Sequence, residues 1–323
     1  MRSESCAADS APEPLAARAA RAAIVVLTLD AEAFLPPLLA AIAAVPTPAR
    51  QVLFVDSSST DATLAMVTAA GHRVHSIRRA EFGHGRTRNV AARQCEDCEY
   101  VVYLTQDACP QGSDWLERLL EPFADAQVAL VYGRQLPRAV AGISERHARE
   151  FNYPARPDRS ERADLATRGI KAVFCSNSFA AYRRSALEAV GGFPERLPLG
   201  EDMAVALRLL QRGHARVYQP EARAVHSHDY SVAEEFRRYF DIGALMTIDP
   251  ELRRVRLAAS GEGLRFLRGE LAASWSPLRP DRVLRVLLRA VAKFIGFRLG
   301  ERHAAMPRVW CRRMSMHSFF WGR

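Results

Sequence analysis

Lysine is nearly missing from this chain: of its 45 basic residues only Lys171 and Lys293 are lysines, and the rest are arginines. Beside so much alanine, that imbalance reads as GC-rich coding and carries no function by itself. No G-x-x-x-x-G-K-[ST] loop exists, which excludes the glycine- and lysine-built phosphate cradle. Glycine is also absent where it would matter most. Thr28-Leu29-Asp30-Ala31-Glu32-Ala33 follows the first apolar run without one, so dinucleotide binding through G-x-G-x-x-G is disfavoured. A diphosphate bound here would have to be met by a cation and by arginines. No run of 18 apolar residues occurs, so the chain is not expected to span a membrane. The six cysteines show no disulfide framework, which suits a reducing cytoplasm, and Cys95-x-x-Cys98 has no second pair at zinc-finger spacing. Residues 1–21 carry Glu4, Asp9 and Glu13 and no apolar core; they are expected to be a disordered tail and not a signal peptide.

What is present is enough for one large α/β core, or for one domain with an appendage: 323 residues, 49% hydrophobic and 25% charged. The net charge of +9 is uneven. Residues 251–323 hold sixteen Arg or Lys against five acids, so the first 250 residues are slightly acidic and the basicity belongs to the tail. No recognition motif accompanies it, so a nucleic-acid partner is not expected, and an anionic membrane surface fits better.

Along the chain, strand and helix patterns alternate. Ala22–Leu29, Gln51–Val55, Val74–Ile77 and Tyr100–Leu104 read as strands, with helices expected at about 36–45, 62–70 and up to Arg93. Four alternations in about 100 residues predict a parallel, doubly wound α/β sheet. Further strands are expected at Val128–Gly133, Ala172–Tyr182, Ala215–Tyr218 and Ala222–Val225, and helices at 184–190 and 203–212, whereas 142–171 is weakly patterned.

Polar groups collect at the ends of these strands, where open α/β sheets bind ligands. Asp30, Asp56 and Asp107 each follow an apolar run, and Glu201-Asp202 opens a helix. Any one of them could be a helix cap; Asp107 in particular could cap the helix starting near Ser113 or Asp114. Asp107 could equally hold Mg²⁺ or Mn²⁺ through oxygen. His226-Ser227-His228 ends a strand, so both imidazoles share a face, as a metal site or as a plain surface pair. Asp202 at a helix N-terminus is expected to stay ionised near neutral pH.

The blocks T-L-D, V-D-S-S-S-T-D, R-T-R-N, L-T-Q-D-A, G-G-F-P-E…G-E-D and H-S-H, in that order across residues 22–245, resemble the family 2 inverting glycosyltransferases. F-G-H-G-R-T-R-N, T-Q-D-A and the late S-M-H-S-F-F-W are similar to the bacterial rhamnosyltransferase branch. The resemblance implies a GT-A fold over 22–245: a mixed, mainly parallel sheet flanked by helices, followed by a basic helical extension over 246–323. It implies a nucleotide-diphosphate sugar donor, with L-rhamnose on deoxythymidine diphosphate the implied sugar. Another hexose or N-acetylhexosamine on UDP or GDP is the alternative, or a non-catalytic nucleotide-sugar-binding protein. The acceptor would be a hydroxyl of a cell-surface polysaccharide or lipid-linked glycan. Asp56 matches the acid contacting the base, Thr28 and Asp30 the loop around base and ribose, and Arg88 an arginine reaching the nucleotide. Thr105-Gln106-Asp107 occupies the place of D-x-D, with Thr105 replacing the first acid and Asp107 matching the metal ligand. His226 matches the histidine near metal and diphosphate, with His228 as rival. Asp202 matches the catalytic base and Glu201 its neighbour that positions the acceptor.

Arg282, Arg285, Arg289 and Lys293 recur at helical spacing, with Leu284, Leu287, Leu288, Val291 and Ile295 opposite. This basic amphipathic pattern suits either an anionic membrane or packing on the domain with arginines in water. The expectation is a cytoplasmic protein, peripheral on the inner face of the plasma membrane.

Overall fold

The computed structural model describes residues 14–257 and 261–322. Its strands are β1 Ala22–Thr28, β2 Gln51–Asp56, β3 Arg73–Ser76, β4 Tyr100–Thr105, β5 Cys109–Gln111, β6 Val128–Leu136, β7 Asp158–Ser160, β8 Phe179–Arg183 and β9 Ala215–Val225. They join in one sheet in the order β3-β2-β1-β4-β8-β6-β9-β5, with β7 on β9. β1 to β4, β6 and β9 run one way, while β5, β7 and β8 oppose them, giving the mixed, mainly parallel sheet expected.

The reason lies in the strands' composition. β1 is buried along its whole length, as a strand covered on both faces must be. Its alternate side chains feed two cores: Ala23, Val25 and Leu27 on one face, Ala22, Ile24 and Val26 on the other. Cys95 and Cys98 belong to the first core, and burial pushes the Cys95 thiol up to about 12, so this pair is packing, not redox chemistry.

Four expectations shift. Ala172–Tyr182 is not one strand, because Ile170–Val173 is a helical turn and only Phe179–Arg183 joins the sheet. The segment between leaves the ladder to deliver Asn177 to the site below. The two short strands at 215–225 are one strand, whose register on β6 jumps from Gly133↔Gln219 to Arg134↔Arg223 around Pro220. Pro220 cannot donate to a ladder, so the strand bulges there. The weakly patterned stretch contains the helix Ile143–Asn152. Of the expected tail, residues 1–13 lie outside the described residues, and Leu15–Ala19 is a helical turn with Arg18 and Ala19 buried.

After β9 come helices Val232–Ile248, Pro250–Leu257, Glu262–Ser274, Pro280–Gly300 and Arg308–Met314. Helix 280–300 lies against helix 232–248 along a glycine stripe. A Cβ on Gly243 would sit 2.1 Å from the Phe297 carbonyl oxygen, one on Gly296 2.3 Å from that of Phe236, and one on Gly300 2.0 Å from that of Phe240. The packing turns two of the helix's charges, Arg289 and Lys293, inward. Arg289 Nη2 donates to Asp229 Oδ1 (3.1 Å) and to the Tyr230 carbonyl (2.6 Å), and Lys293 Nζ lies 3.1 Å from Glu235 Oε1. Leu284, Leu287, Leu288, Val291 and Ile295 face outward instead, 44–58% exposed. The sequence pattern had these arginines in water or on lipid; close backbone contact and the two acids decide otherwise for Arg289 and Lys293. No helix among the described residues is long and apolar enough to cross a membrane.

Candidate active site

A cleft of about 1380 Å³ opens beside the ends of β4, β6 and β9, and its lining includes Arg88, Asp107, Asn177, Glu201, Asp202, His226 and His228. The strand ends bring the first cluster together. Asp107 follows β4 directly, and Asp107 Oδ1 lies 3.5 Å from His226 Nε2 and Oδ2 3.3 Å from His228 Nε2. The three groups present ligand atoms all within 4.8 Å of one another. Asp107 caps no helix, because the next one has Asp114 at its N-cap position.

The tautomer of His226 follows from its neighbours. Arg149, which can only donate, hydrogen-bonds Gln135 Oε1. That oxygen must therefore also be an acceptor for His226 Nδ1 at 2.9 Å, so Nδ1 carries the proton and Nε2 keeps its lone pair toward Asp107. Burial works against ionised Asp107, but the hydrogen bond and positive charge that His226 offers when its Nε2 is also protonated outweigh it and hold the carboxyl well below its usual range. Burial, then His226, pushes His228 down to about 4. A carboxylate beside two imidazole nitrogens is a donor set that fits a divalent cation, and its nitrogen content suits Mn²⁺ better than Mg²⁺.

The second cluster sits at the start of helix Glu201–Gln211. Gly200 precedes it at φ 79°, the left-handed region open to glycine, and a Cβ there would lie 2.5 Å from Leu245 Cδ2. The two acids that follow diverge. Glu201 Oε1 meets Arg88 Nη1 at 2.9 Å and accepts from Asn177 Nδ2 at 3.1 Å. Burial would raise its pKa, but Arg88 wins and the shift is downward, so Glu201 is a buried anion already committed to its partners. Among the described residues no cation pairs with Asp202, and its oxygens accept from the backbone N–H groups of Asn177 (3.2 Å) and Met203 (2.8 Å). Burial first, and the Glu201 charge second, push Asp202 up to about 7. The helix N-terminus alone predicts an acid ionised well below neutrality; desolvation beside a second carboxylate overrides it.

Arg88, expected to reach the nucleotide, faces Glu201 and donates to the His84 carbonyl at 3.0 Å, and its Nε meets no hydrogen-bond partner among the described residues. Thr28, Asp30, Asp56 and Gln106 form a separate network beyond the cleft lining. Asp56 accepts from Thr28 Oγ1 (3.1 Å), Ser59 N (2.9 Å) and Ser59 Oγ (2.5 Å), while Asp30 Oδ1 accepts from Thr60 N at 2.8 Å. The Gln106 amide clasps the Leu29 backbone, taking its N–H at 2.8 Å and donating to its carbonyl at 3.1 Å. Thr105 does line the cleft. Gln135, Arg149, Asn177, His84 and His317 are cleft residues that sequence reasoning missed. Asn177, in the polar interruption Cys175-Ser176-Asn177-Ser178 of an apolar stretch, carried a readable signal.

A mixed, mainly parallel α/β sheet presenting an Asp/His cluster and a neutral-range carboxylate to one cleft is an arrangement that suits a glycosyltransferase. The chain belongs to the glycosyl transferase family 2, whose model matches residues 23–191. It is 42% identical over 277 residues to the O-antigen chain rhamnosyltransferase WbaN of Salmonella anatum, covering 84% of this chain and 86% of that protein. It is 38% identical to the O-antigen chain rhamnosyltransferase RfbN of Salmonella typhimurium, covering 92% and 95% of the two chains. Among solved structures, the fold matches a mannosyltransferase from Pyrobaculum calidifontis in complex with GDP-Man and Mn²⁺, with TM-score 0.56, 19% identity and coverage of 97% and 88%. It also matches S. aureus TarS 1-349, with TM-score 0.53, 16% identity and coverage of 88% and 91%. The expected family and GT-A-type fold are borne out.

Proposed function

We propose that this enzyme transfers L-rhamnose, with inversion, from its deoxythymidine diphosphate donor to a hydroxyl of a growing cell-surface glycan. The chemistry rests on one observation: Asp202 and the Asp107–His226–His228 cluster face the same cleft. The choice of sugar rests on the two rhamnosyltransferase relatives. We take 22–245 as the catalytic domain and 246–323 as its extension.

Asp202 takes the proton of the acceptor hydroxyl as that oxygen attacks the sugar carbon from the face opposite the diphosphate, a role needing a pKa near the working pH. Arg88 and Asn177 neutralise and fix Glu201, which holds Asp202 in a field that keeps its carboxylate basic. Asp107, His226 and His228 would hold Mg²⁺ or Mn²⁺, with Gln135 orienting His226. A cation so held supplies charge neutralisation for the departing diphosphate. Thr28, Asp30 and Asp56 line up at the β1 and β2 ends to receive base and ribose.

The extension supports docking on an anionic bilayer. Besides the outward apolar row of helix 280–300, the extension carries Trp275, Leu278, Val309 and Trp310, all more than half exposed. Arg282, Arg285, Arg302, Arg312 and Arg313 share these helices and their connections. Apolar and tryptophan side chains flanked by arginine match the interface of a negatively charged leaflet.

Thermal shift with Mn²⁺ present tests the donor. Deoxythymidine diphosphate should stabilise the enzyme more than uridine or guanosine diphosphate; equal stabilisation would remove the rhamnosyl assignment.

A further inference from the structure

The segment 315–321 returns from the last long helix to the catalytic cleft. One buried acid holds it: Asp241, fully inaccessible in helix 232–248, accepts from Ser315 Oγ (2.6 Å), Met316 N (2.9 Å) and His317 N (3.2 Å). The anchor places the His317 ring against His84, Nδ1 to Nε2 at 3.3 Å, with the rings edge to face. Phe319 packs on His84 and on Phe82 behind it. Both histidines line the cleft beside Arg88, Glu201 and Asp202.

Between these two imidazoles, one nitrogen donates and the other accepts. His317 Nε2 is left without a protein partner among the described residues, and it is a donor in one tautomer and an acceptor in the other. Burial lowers the pKa of His84, and burial with His84 pushes His317 down to about 3, so the pair is uncharged at neutral pH. A neutral group of either polarity suits a sugar hydroxyl, which both donates and accepts; a phosphate would call for a cation or fixed donors. Location agrees, on the reading of function above. The sugar must lie between the cluster that meets the diphosphate and Asp202, which meets the acceptor, and His84 stands on the Asp202 side, where Arg88 Nη1 joins its carbonyl (3.0 Å) to Glu201 Oε1 (2.9 Å).

We propose that His317, delivered into the cleft by the Asp241-anchored segment and propped by His84, hydrogen-bonds a hydroxyl of the donor's sugar ring and thereby sets donor specificity. Asp241 is a positioning residue for it.

The test is calorimetric titration of the full chain with Mn²⁺, using dTDP-rhamnose, UDP-glucose and GDP-mannose, each beside its own nucleoside diphosphate. In His317→Ala, the sugar nucleotide that wild type binds best should weaken about tenfold, the worth of one hydrogen bond, while its nucleoside diphosphate keeps its affinity. His317→Gln, whose amide reaches the place of Nε2, should recover most of the loss. Asp241→Asn, which touches no ligand, should show the same selective loss at smaller amplitude. Equal weakening of both ligands, no weakening, or a Gln variant no better than Ala overturns the proposal. If wild type prefers a sugar nucleotide other than dTDP-rhamnose, the donor assignment fails alone and His317 is judged on the preferred ligand; binding of none refutes both.

Discussion

Asp202 combines two demands that pull against each other. As a buried acid raised from 3.8 to about 7, it keeps a proton in the folded enzyme that the unfolded chain releases. Its contribution to stability is therefore lost as pH rises from about 4 to about 7, and stays lost above. On the proposed mechanism the same pKa sets the rate, because a base works only once deprotonated. Transfer should fall about tenfold per unit of pH below about 7, read as kcat/KM against pH. Asp202→Asn should cut kcat by roughly 10²–10⁴-fold. At pH 8 that variant should melt higher than wild type by on the order of 1 kcal/mol of stability, an advantage that vanishes near pH 4. A rate that survives Asp202→Asn, or a pH profile flat down to 5, would remove Asp202 from the mechanism. At the metal cluster, chelation should abolish transfer and Mn²⁺ should restore it better than Mg²⁺, since two of three ligands are imidazoles. His226→Ala should weaken Mn²⁺ binding, measured by titration without substrate.

Among the elements, the helix pair 232–248 and 280–300 depends on missing side chains. Gly300→Ala would drive a methyl to 2.0 Å from a backbone carbonyl that cannot rotate away, so the helices must part. A cost of about 1–3 kcal/mol is expected, read as a lower melting temperature. Gly263→Ala, with nothing within 4 Å, should leave the melting temperature unchanged or raise it. On the outward face of helix 280–300, Leu284→Glu with Leu288→Glu should abolish sedimentation with phosphatidylglycerol vesicles and leave donor binding intact. Loss of a dimer on size exclusion with vesicle binding retained would reassign this face to self-association. Elements of this kind were readable only in part. The strands β1, β2 and β4 could be placed because each is a continuous apolar run closed by an acid. The inside-out helix could not, since its pattern alone does not say which face meets the protein; Asp229 and Glu235 decide that from elsewhere in the chain.

Across the whole molecule, legibility follows sequence distance. Asp107 and Asp202 stand beside their own structural signals, a strand end and a helix start. His84 and His317 are 233 residues apart, and nothing local in either predicts the other. The helix dipole alone does not predict the pKa of Asp202 for the same reason: desolvation and the Glu201–Arg88–Asn177 cluster exist only once the sheet has assembled. Gln135 likewise earns its role by meeting Arg149 and His226 together.

Helix 280–300 is also a wall of the cleft, through Arg289, Ala290, Lys293 and Phe294. With its outer face in a bilayer, the thickness of this one helix, about 10 Å, becomes the distance between lipid and reaction centre. The enzyme would then work as a ruler. A glycan tethered to lipid by only a few sugars brings its free end level with Asp202, whereas a longer chain must bend back to be extended.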